Sequence, residues 1–307
     1  MKQNIIEILL KDIQNCKIFF IDVSFPVDDN LLENSLIENG QLTPILISRK
    51  NNEFFIIDGR KRFFLMEKLN FKKITLKILN YSSEIINFIK FFKINLYRKF
   101  NHIEISNLLK YSENYFQDKI LTKYIFSRLQ LKYSSVNLKN YLSLQHLTHF
   151  GKTLLVNEKL NLNLAIKLSK LDEKSQNKFL KLCENLKLNS NKQKKVFERI
   201  FDISKREDLN FYETIEKYFK KYSIEEYSKA LEDEFFQNLL KIHSPDYYNF
   251  IEKFNKQKNL VLSNVKGLNI YSPSNFEDNI LKVEIFFKTY SELKEKLEKL
   301  KEFNFQL

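Results

Sequence analysis

Four glycines and four prolines serve a chain of 307 residues. So few chain-reversing residues exclude a turn-rich β-sandwich and favour long helices. Tryptophan is absent, and cysteine occurs only twice, at Cys16 and Cys183, far apart and without a CxxC partner. That excludes a disulfide framework or a cysteine-rich metal knuckle and predicts reduced thiols in a cytoplasmic protein. No run approaches 18 uncharged apolar residues, so no membrane span is expected. The apolar patch near the N-terminus is broken by Glu7 and is too short for a signal sequence. A composition of 43% hydrophobic and 29% charged residues is that of a folded chain. The net charge of +13 makes polyanions natural partners, nucleic acid first and an anionic membrane surface second. A solvated lysine-rich surface accounts for the same number.

Periodicity divides the chain. KIFFIDV (17–23) has the pattern of a strand, and 28–40 that of a helix opened by Asp28 or Asp29 and closed by Gly40. PILIS (44–48) and EFFII (53–57) form a hairpin-like pair, a helix follows over 60–69, and KITLKIL (73–79) alternates as a strand. The order is β-α-β-β-α-β. Helical periodicity then continues, with helices expected at 82–97, 102–117, 120–130, 134–144, 147–157, 162–170, 173–187 and 190–203. Residues 205–245 are helical, charged and aromatic. The strands 267–273 and 280–288 end the pattern with a helix carrying the Leu293, Leu297 and Leu300 seam behind a Thr289/Glu292 capping box. His146 and His149 share a helix but lack a third ligand, and Cys183 falls on an apolar face with Phe179 and Leu186; all are read as structural.

IIDGRKRFF (56–64) poses a question of charge. Arg60, Lys61 and Arg62 crowd a helix N-terminus that the peptide dipoles already make positive. A bound phosphate, held by free amides and these cations, would resolve it. So would Asp58 acting as the helix cap, with the cations in solvent.

Further along, Leu121, Tyr124, Ile125 and Leu129 line one face of a helix, and Ser134 opens a second in which Leu138, Tyr141 and Leu142 point inward. This spacing suits a helix-turn-helix, with Lys132, Ser134, Ser135, Asn137, Lys139 and Asn140 outward where DNA-reading residues lie. The usual turn glycine is missing; Gln130 or Leu131 stands there. Lys192, Lys194 and Lys195 are further candidates for phosphate contact, or simply a solvated face.

Three blocks together resemble the ParB family and its sulfiredoxin-like N-terminal fold. Ser35, Ile37, Gly40, Gln41, Pro44 and Ile45 match the family's opening box, Asp58 to Arg62 its glycine-arginine box, and Asn95, Arg98, Ile103 and Glu104 its third box. The resemblance implies an α+β, mostly helical protein in four parts. These are a ParB/sulfiredoxin-like phosphate- or nucleotide-binding domain (1–100), a helical DNA-binding domain with the helix-turn-helix (101–204), a helical tether (205–245) and a ββα dimerisation-like unit (246–307). It implies a dimeric, nucleoid-associated, cytoplasmic DNA-binding protein of chromosome or plasmid partition, working with a partition ATPase and binding CTP with Mg²⁺ as a switch. Carried over, Gly59, Arg60, Lys61 and Arg62 face phosphates, Asn95 and Arg98 complete the pocket, and Gly40, Gln41 and Pro44 shape its wall.

Three departures argue against hydrolysis. Arg60 and Ile94 stand where the family has glutamate, and Phe64 replaces the last arginine. Fewer carboxylates weaken a Mg²⁺ site. A CTPase or nuclease using the 58–62 loop, and a degenerate interaction module with an empty pocket, are the alternatives. Peroxiredoxin repair is excluded because residues 56–64 hold no cysteine.

Overall fold

The computed structural model describes residues 4–14, 16–25, 29–50, 53–80, 83–116, 119–271 and 282–301. The chain is α+β and mostly helical. It divides into two compact units, one of Met1–Lys181 with Asn189–Asn191, the other of Leu182–Leu188 with Lys192–Leu307.

The first unit opens with β1 (Asn4–Leu9), α1 (Leu10–Gln14), β2 (Lys17–Phe20), α2 (Asn30–Asn39), β3 (Ile45–Lys50), β4 (Glu53–Asp58), α3 (Arg60–Lys68) and β5 (Lys73–Leu79). The five strands lie in the order β1-β5-β3-β4-β2. β3 and β4 form the expected hairpin; β2 runs parallel to β4, and β3 parallel to β5. Ile45, Ile47, Phe54, Ile56, Ile74 and Leu76 meet Leu36, Phe63 and Met66 in one core. The edge strand β1, antiparallel to β5, was not expected. In NIIEIL (4–9) the spacing of Ile5, Ile6, Ile8 and Leu9 fits neither period cleanly, and pairing with β5 makes it a strand.

Helices follow as the periodicity predicts: α4 (Glu84–Asn95), α5 (His102–Phe116), α6 (Lys119–Arg128), α7 (Ser135–Ser143), α8 (His149–Val156), α9 (Leu162–Leu168), α10 (Glu173–Asn185) and α11 (Ser190–Arg206). The scarcity of glycine has a structural consequence. Asn70, Gln130, Glu158, Lys187 and Asp208 take left-handed backbone at helix ends, with φ between 49° and 59°. At α6, Gln130 N–H donates to Ser127 O and Leu131 N–H to Phe126 O, the paired bonds of a Schellman end.

The second unit contains α12 (Phe211–Phe219), α13 (Lys229–His243), α14 (Pro245–Asn264), β6 (Leu268–Tyr271), β7 (Lys282–Ile285) and α15 (Tyr290–Lys301). The aromatic stretch 205–245 is helical and also packed: Phe211, Phe219, Tyr222 and Phe235 are buried, with Phe219 and Tyr222 edge-on to Phe235. The expected strand over 280–288 is described only from Lys282 onward, so Leu281 lies outside the described residues. The long α14 was not expected. It covers one face of the β6–β7 hairpin, where Phe254, Val261 and Val265 pack with Leu268 and Ile270. Leu300 joins this cluster, while Leu297 of the same seam is 44% exposed. Glu292 N–H donates to Thr289 Oγ1, and the Glu292 carboxylate accepts from Lys288 N–H, one residue earlier than a strict capping box. Cys183 is buried, as expected.

Candidate nucleotide cleft and helix-turn-helix

A cleft of about 320 Å³ lies at the N-terminal end of α3. Ile57, Asp58, Gly59, Arg60, Lys61 and Arg62 line one side, and Asn95, Tyr97, Arg98 and Glu104 the other. Two segments some forty residues apart in sequence thus face each other. Sheet closure brings them together: β4 delivers the loop, and α4, packed against β4, delivers its own C-terminus.

Gly59 is required twice over. Its φ is +90°, and a Cβ there would lie 3.0 Å from Arg62 Nη2 and 3.2 Å from Ile45 Cγ1. It is the residue before α3, and Phe63 N–H to Gly59 O (2.9 Å) is the helix's first bond. The amides of Arg60, Lys61 and Arg62 therefore lack helical acceptors.

The crowded cations are each met by a carboxylate from another place. Arg60 Nη1 lies 2.6 Å from Asp22 Oδ1, and Nη2 donates to Asp22 Oδ2 at 3.0 Å. Lys61 Nζ lies 2.6 Å from Asp29 Oδ1, and Arg62 Nη2 3.1 Å from Asp58 Oδ2. Asp58 is thus a partner of Arg62 and not the helix cap, because Asp58 is still the last residue of β4 and Gly59 holds the cap position. Arg62 also donates to Thr43 O (2.7 Å) and to Thr43 Oγ1. Across the cleft, Arg98 Nε donates to Asn95 Oδ1 (3.1 Å), and the Asn95 amide donates to Phe91 O (2.9 Å). Arg98 pairs with the buried Glu104 and lies over the Phe100 ring, 4.5 Å from its centroid. Four cations (Arg60, Lys61, Arg62, Arg98) stand against four carboxylates (Asp22, Asp29, Asp58, Glu104), a net charge of zero.

The two helices of the candidate helix-turn-helix are α6 and α7. Ser134 Oγ accepts from Asn137 N–H at 3.0 Å and caps α7. Leu121, Ile125 and Phe126 of α6 and Tyr141 of α7 are buried, and Tyr141 O accepts from Ser106 Oγ of α5 at 2.6 Å. His102, near Tyr141, is held below its ordinary pKa by burial and by the neighbouring Lys99, and so is neutral at pH 7.

No protein-family model matches this chain, and no curated protein matches it. Solved structures do. The C-terminally truncated chromosome-partitioning protein ParB of Caulobacter crescentus, complexed with CTP-γ-S, is 18% identical across 54% of this chain and 92% of its own, with a TM-score of 0.25. The same truncated protein complexed to the centromeric parS site is 15% identical across 68% and 96%, TM-score 0.33. A Pnob8-like ParB-N domain is 17% identical across 82% and 97%, TM-score 0.32. These three structural neighbours are ParB proteins or a ParB domain.

Of the residues matched to ParB boxes, Gly59, Arg60, Lys61, Arg62, Asn95 and Arg98 line the cleft. Gly40, Gln41 and Pro44 are not among the residues that line it. Gln41 instead bridges to β5, its amide donating to Thr75 O (2.7 Å) and its oxygen accepting from Thr75 N–H (2.7 Å). Pro44 O accepts from Arg62 at 3.4 Å and so acts on the cleft only through that side chain. Phe64 packs edge-on to Phe20; the Arg60 guanidinium lies 4.8 Å from the Phe20 ring centroid and 5.4 Å from that of Phe64.

In the helix-turn-helix, Lys132, Ser135 and Lys139 are exposed, and Asn140 is half-buried. Ser134 and Asn137 are half-buried and turned inward, because the α7 cap uses the Ser134 hydroxyl and the Asn137 amide donates to Lys132 O (2.8 Å). Lys194 and Lys195 are exposed. Lys192 is committed elsewhere, 2.5 Å from the buried Glu232.

Sequence reasoning missed Asp22, whose position carries no motif, Asp29, read there only as a helix cap though its side chain makes no cap bond, and Tyr97, which is 83% exposed at the cleft mouth. Glu104 was matched to a box but not assigned to the pocket. The spacing to Arg98, six residues across a helix break, was the available signal.

Proposed function

We propose that this chain is a ParB-like DNA-binding protein whose cleft takes a phosphate-bearing nucleotide as a switch. One observation carries the reading: the Gly59–Arg62 turn and the Asn95–Arg98–Glu104 segment, distant in sequence, meet in a single cleft at the N-terminus of α3. Phosphates would lie against the Arg60, Lys61 and Arg62 amides and side chains. Arg98, held by Asn95 and Glu104, reaches the same space, and exposed Tyr97 offers a ring face to a base. α7 would enter the major groove, with Ser135, Lys139 and Asn140 near the bases and exposed lysines on phosphates. Partition of a chromosome or plasmid, with a partner ATPase, is the biological role this reading favours. The exposed Val283, Phe286, Phe287, Tyr290 and Leu297 of the β6–β7–α15 region would pair two chains.

Mg²⁺ does not fit this cleft as a protein-held ion. Asp22, Asp58 and Glu104 each already hold a guanidinium group, and among the described residues no group of three or more His, Cys, Asp or Glu could bind a metal. Hydrolysis by a CTPase or nuclease would need a carboxylate, and each of the four here is paired with a cation. The charge balance favours a second reading, an interaction module whose pocket stays empty.

A Caulobacter crescentus ParB neighbour holds CTP-γ-S, and the same protein is also seen on parS. CTP is therefore the first nucleotide to titrate, calorimetrically, with and without DNA. Binding that is lost in Arg62→Ala and Arg98→Ala supports the switch. Phosphate release with any nucleotide would make the chain an enzyme. No heat with any nucleotide would leave the empty module.

A further inference from the structure

We propose that Asp22 and Asp29 are built-in, displaceable counterions that set the affinity and the charge selectivity of the cleft; this rests on the phosphate reading above. The four ion pairs are not equivalent. Arg62–Asp58 and Arg98–Glu104 are fixed, since Arg62 is tied to Thr43 and Arg98 to Asn95, and Glu104 also accepts from Asn101 N–H at 3.2 Å. Among the described residues the Asp22 and Asp29 carboxylates accept from no second group, although the Arg60 guanidinium also lies over the Phe20 and Phe64 rings. Asp22 is 56% exposed and Asp29 33% exposed at the side chain.

The backbone around Asp22 stays in place when its side chain leaves. Ile21 and Val23 on either side are buried at 3% and 0% exposure, and Val23 O accepts from Asn107 of α5 at 3.0 Å. Releasing Arg60 therefore needs only a side-chain rotation of Asp22 into solvent. An incoming phosphate oxygen takes the same guanidinium donors that the carboxylate held.

The two carboxylates come from different segments, one after β2 and one at the start of α2, and answer different cations. A single phosphate satisfies one cation more readily than both. A diphosphate or triphosphate can displace both carboxylates, so the pair penalises small anions most. Asp22 and Asp29 are therefore specificity-determining residues of the cleft, selecting polyphosphate over monophosphate.

The test uses the full chain and calorimetric titration with inorganic phosphate, pyrophosphate and CTP. The proteins are wild type, Asp22→Asn, Asp29→Asn, the double variant, and Glu7→Gln as control. Glu7 pairs with Lys73 at 3.1 Å, both 58% exposed, on the β1–β5 edge, so its loss changes net charge equally without touching the cleft. Each single aspartate variant should bind pyrophosphate and CTP about two- to fivefold tighter, in line with the strength of solvent-exposed ion pairs, and the double variant roughly tenfold. The preference for pyrophosphate over phosphate should narrow in the double variant, and Glu7→Gln should match wild type. Binding seen only in the double variant supports the inference as well. If wild type binds CTP and the aspartate variants bind it equally or more weakly, the counterion role is wrong and the phosphate reading stands. If neither wild type nor any variant binds, both fall.

Discussion

Arg98 Nη1 lies 2.8 and 3.0 Å from the two carboxylate oxygens of Glu104, which is only 5% exposed. The same carboxylate caps the approach to α5 through Asn101 N–H. One buried acid thus orients a cleft arginine and anchors a helix start. Replacing Glu104 with Gln keeps the shape and removes the charge. The variant should lose about 1–3 kcal/mol in urea unfolding, the range for a hydrogen bond to a charged partner lost from a buried site. It should also weaken CTP binding. A variant as stable as wild type would show that the pair contributes nothing.

Gln130 takes φ +56° at the end of α6, where a glycine would relieve the steric cost of the left-handed region. Glycine also loosens the unfolded chain, which offsets part of the gain. Gln130→Gly should therefore raise stability by up to about 1 kcal/mol. A fall in the urea midpoint would show that the Gln130 side chain itself supports the turn.

Lys139 and Asn140 sit on α7, and Lys194 and Lys195 are exposed on α11. Lys139→Ala with Asn140→Ala should alter sequence preference in gel shifts. Charge reversal at Lys194 and Lys195 should weaken all DNA alike and flatten the salt dependence. Unchanged shifts with both sets would remove the DNA-binding reading. Lys192 is unsuitable for this test, because its reversal would place a second acid beside buried Glu232 and destabilise the fold.

Glu232 is held below the ordinary glutamate value of 4.5, first by Lys192 and then by Lys229. A carboxylate depressed in the fold adds stability above its unfolded pKa and loses it as pH falls through the folded one. Wild type should hold this contribution at pH 7 and lose it progressively below about pH 4.5. Glu232→Gln should be less stable at pH 7, with the two melting temperatures converging on acidification. A constant gap down to pH 3 would contradict the linkage.

Cys183 is buried, and desolvation pushes its thiol well above the ordinary range, whereas Cys16 is partly exposed. A thiol reagent should label one site in the native protein and two after unfolding. Fast labelling of both in native buffer would mean that the helices around Cys183 open readily.

Much of the fold was legible because its signals are local. The strand alternation of 73–79, the Gly40 stop after α2 and the Ser134 cap of α7 each lie within a few residues of what they control. Three elements were harder. β1 has a mixed period that only its partner β5 resolves. The packing of the 205–245 stretch depends on Phe219, Tyr222 and Phe235 meeting in space. α14 went unread although Pro245 stands at its first position, and its apolar face is matched by the strands it covers.

By itself, the sequence determined the succession of elements, the positive turn at Gly59–Arg62 and the candidate reading helix, since backbone preference and periodicity act over a few residues. Tertiary structure alone decided which distant carboxylate meets which cation: Asp22 with Arg60, Asp29 with Lys61 and Glu232 with Lys192, whereas Asp58 and Arg62, four residues apart, were already neighbours in the sequence. Ion pairing acts over a few ångströms with no fixed sequence spacing. Its partners are chosen only when the sheet and helices close and bring distant segments into reach.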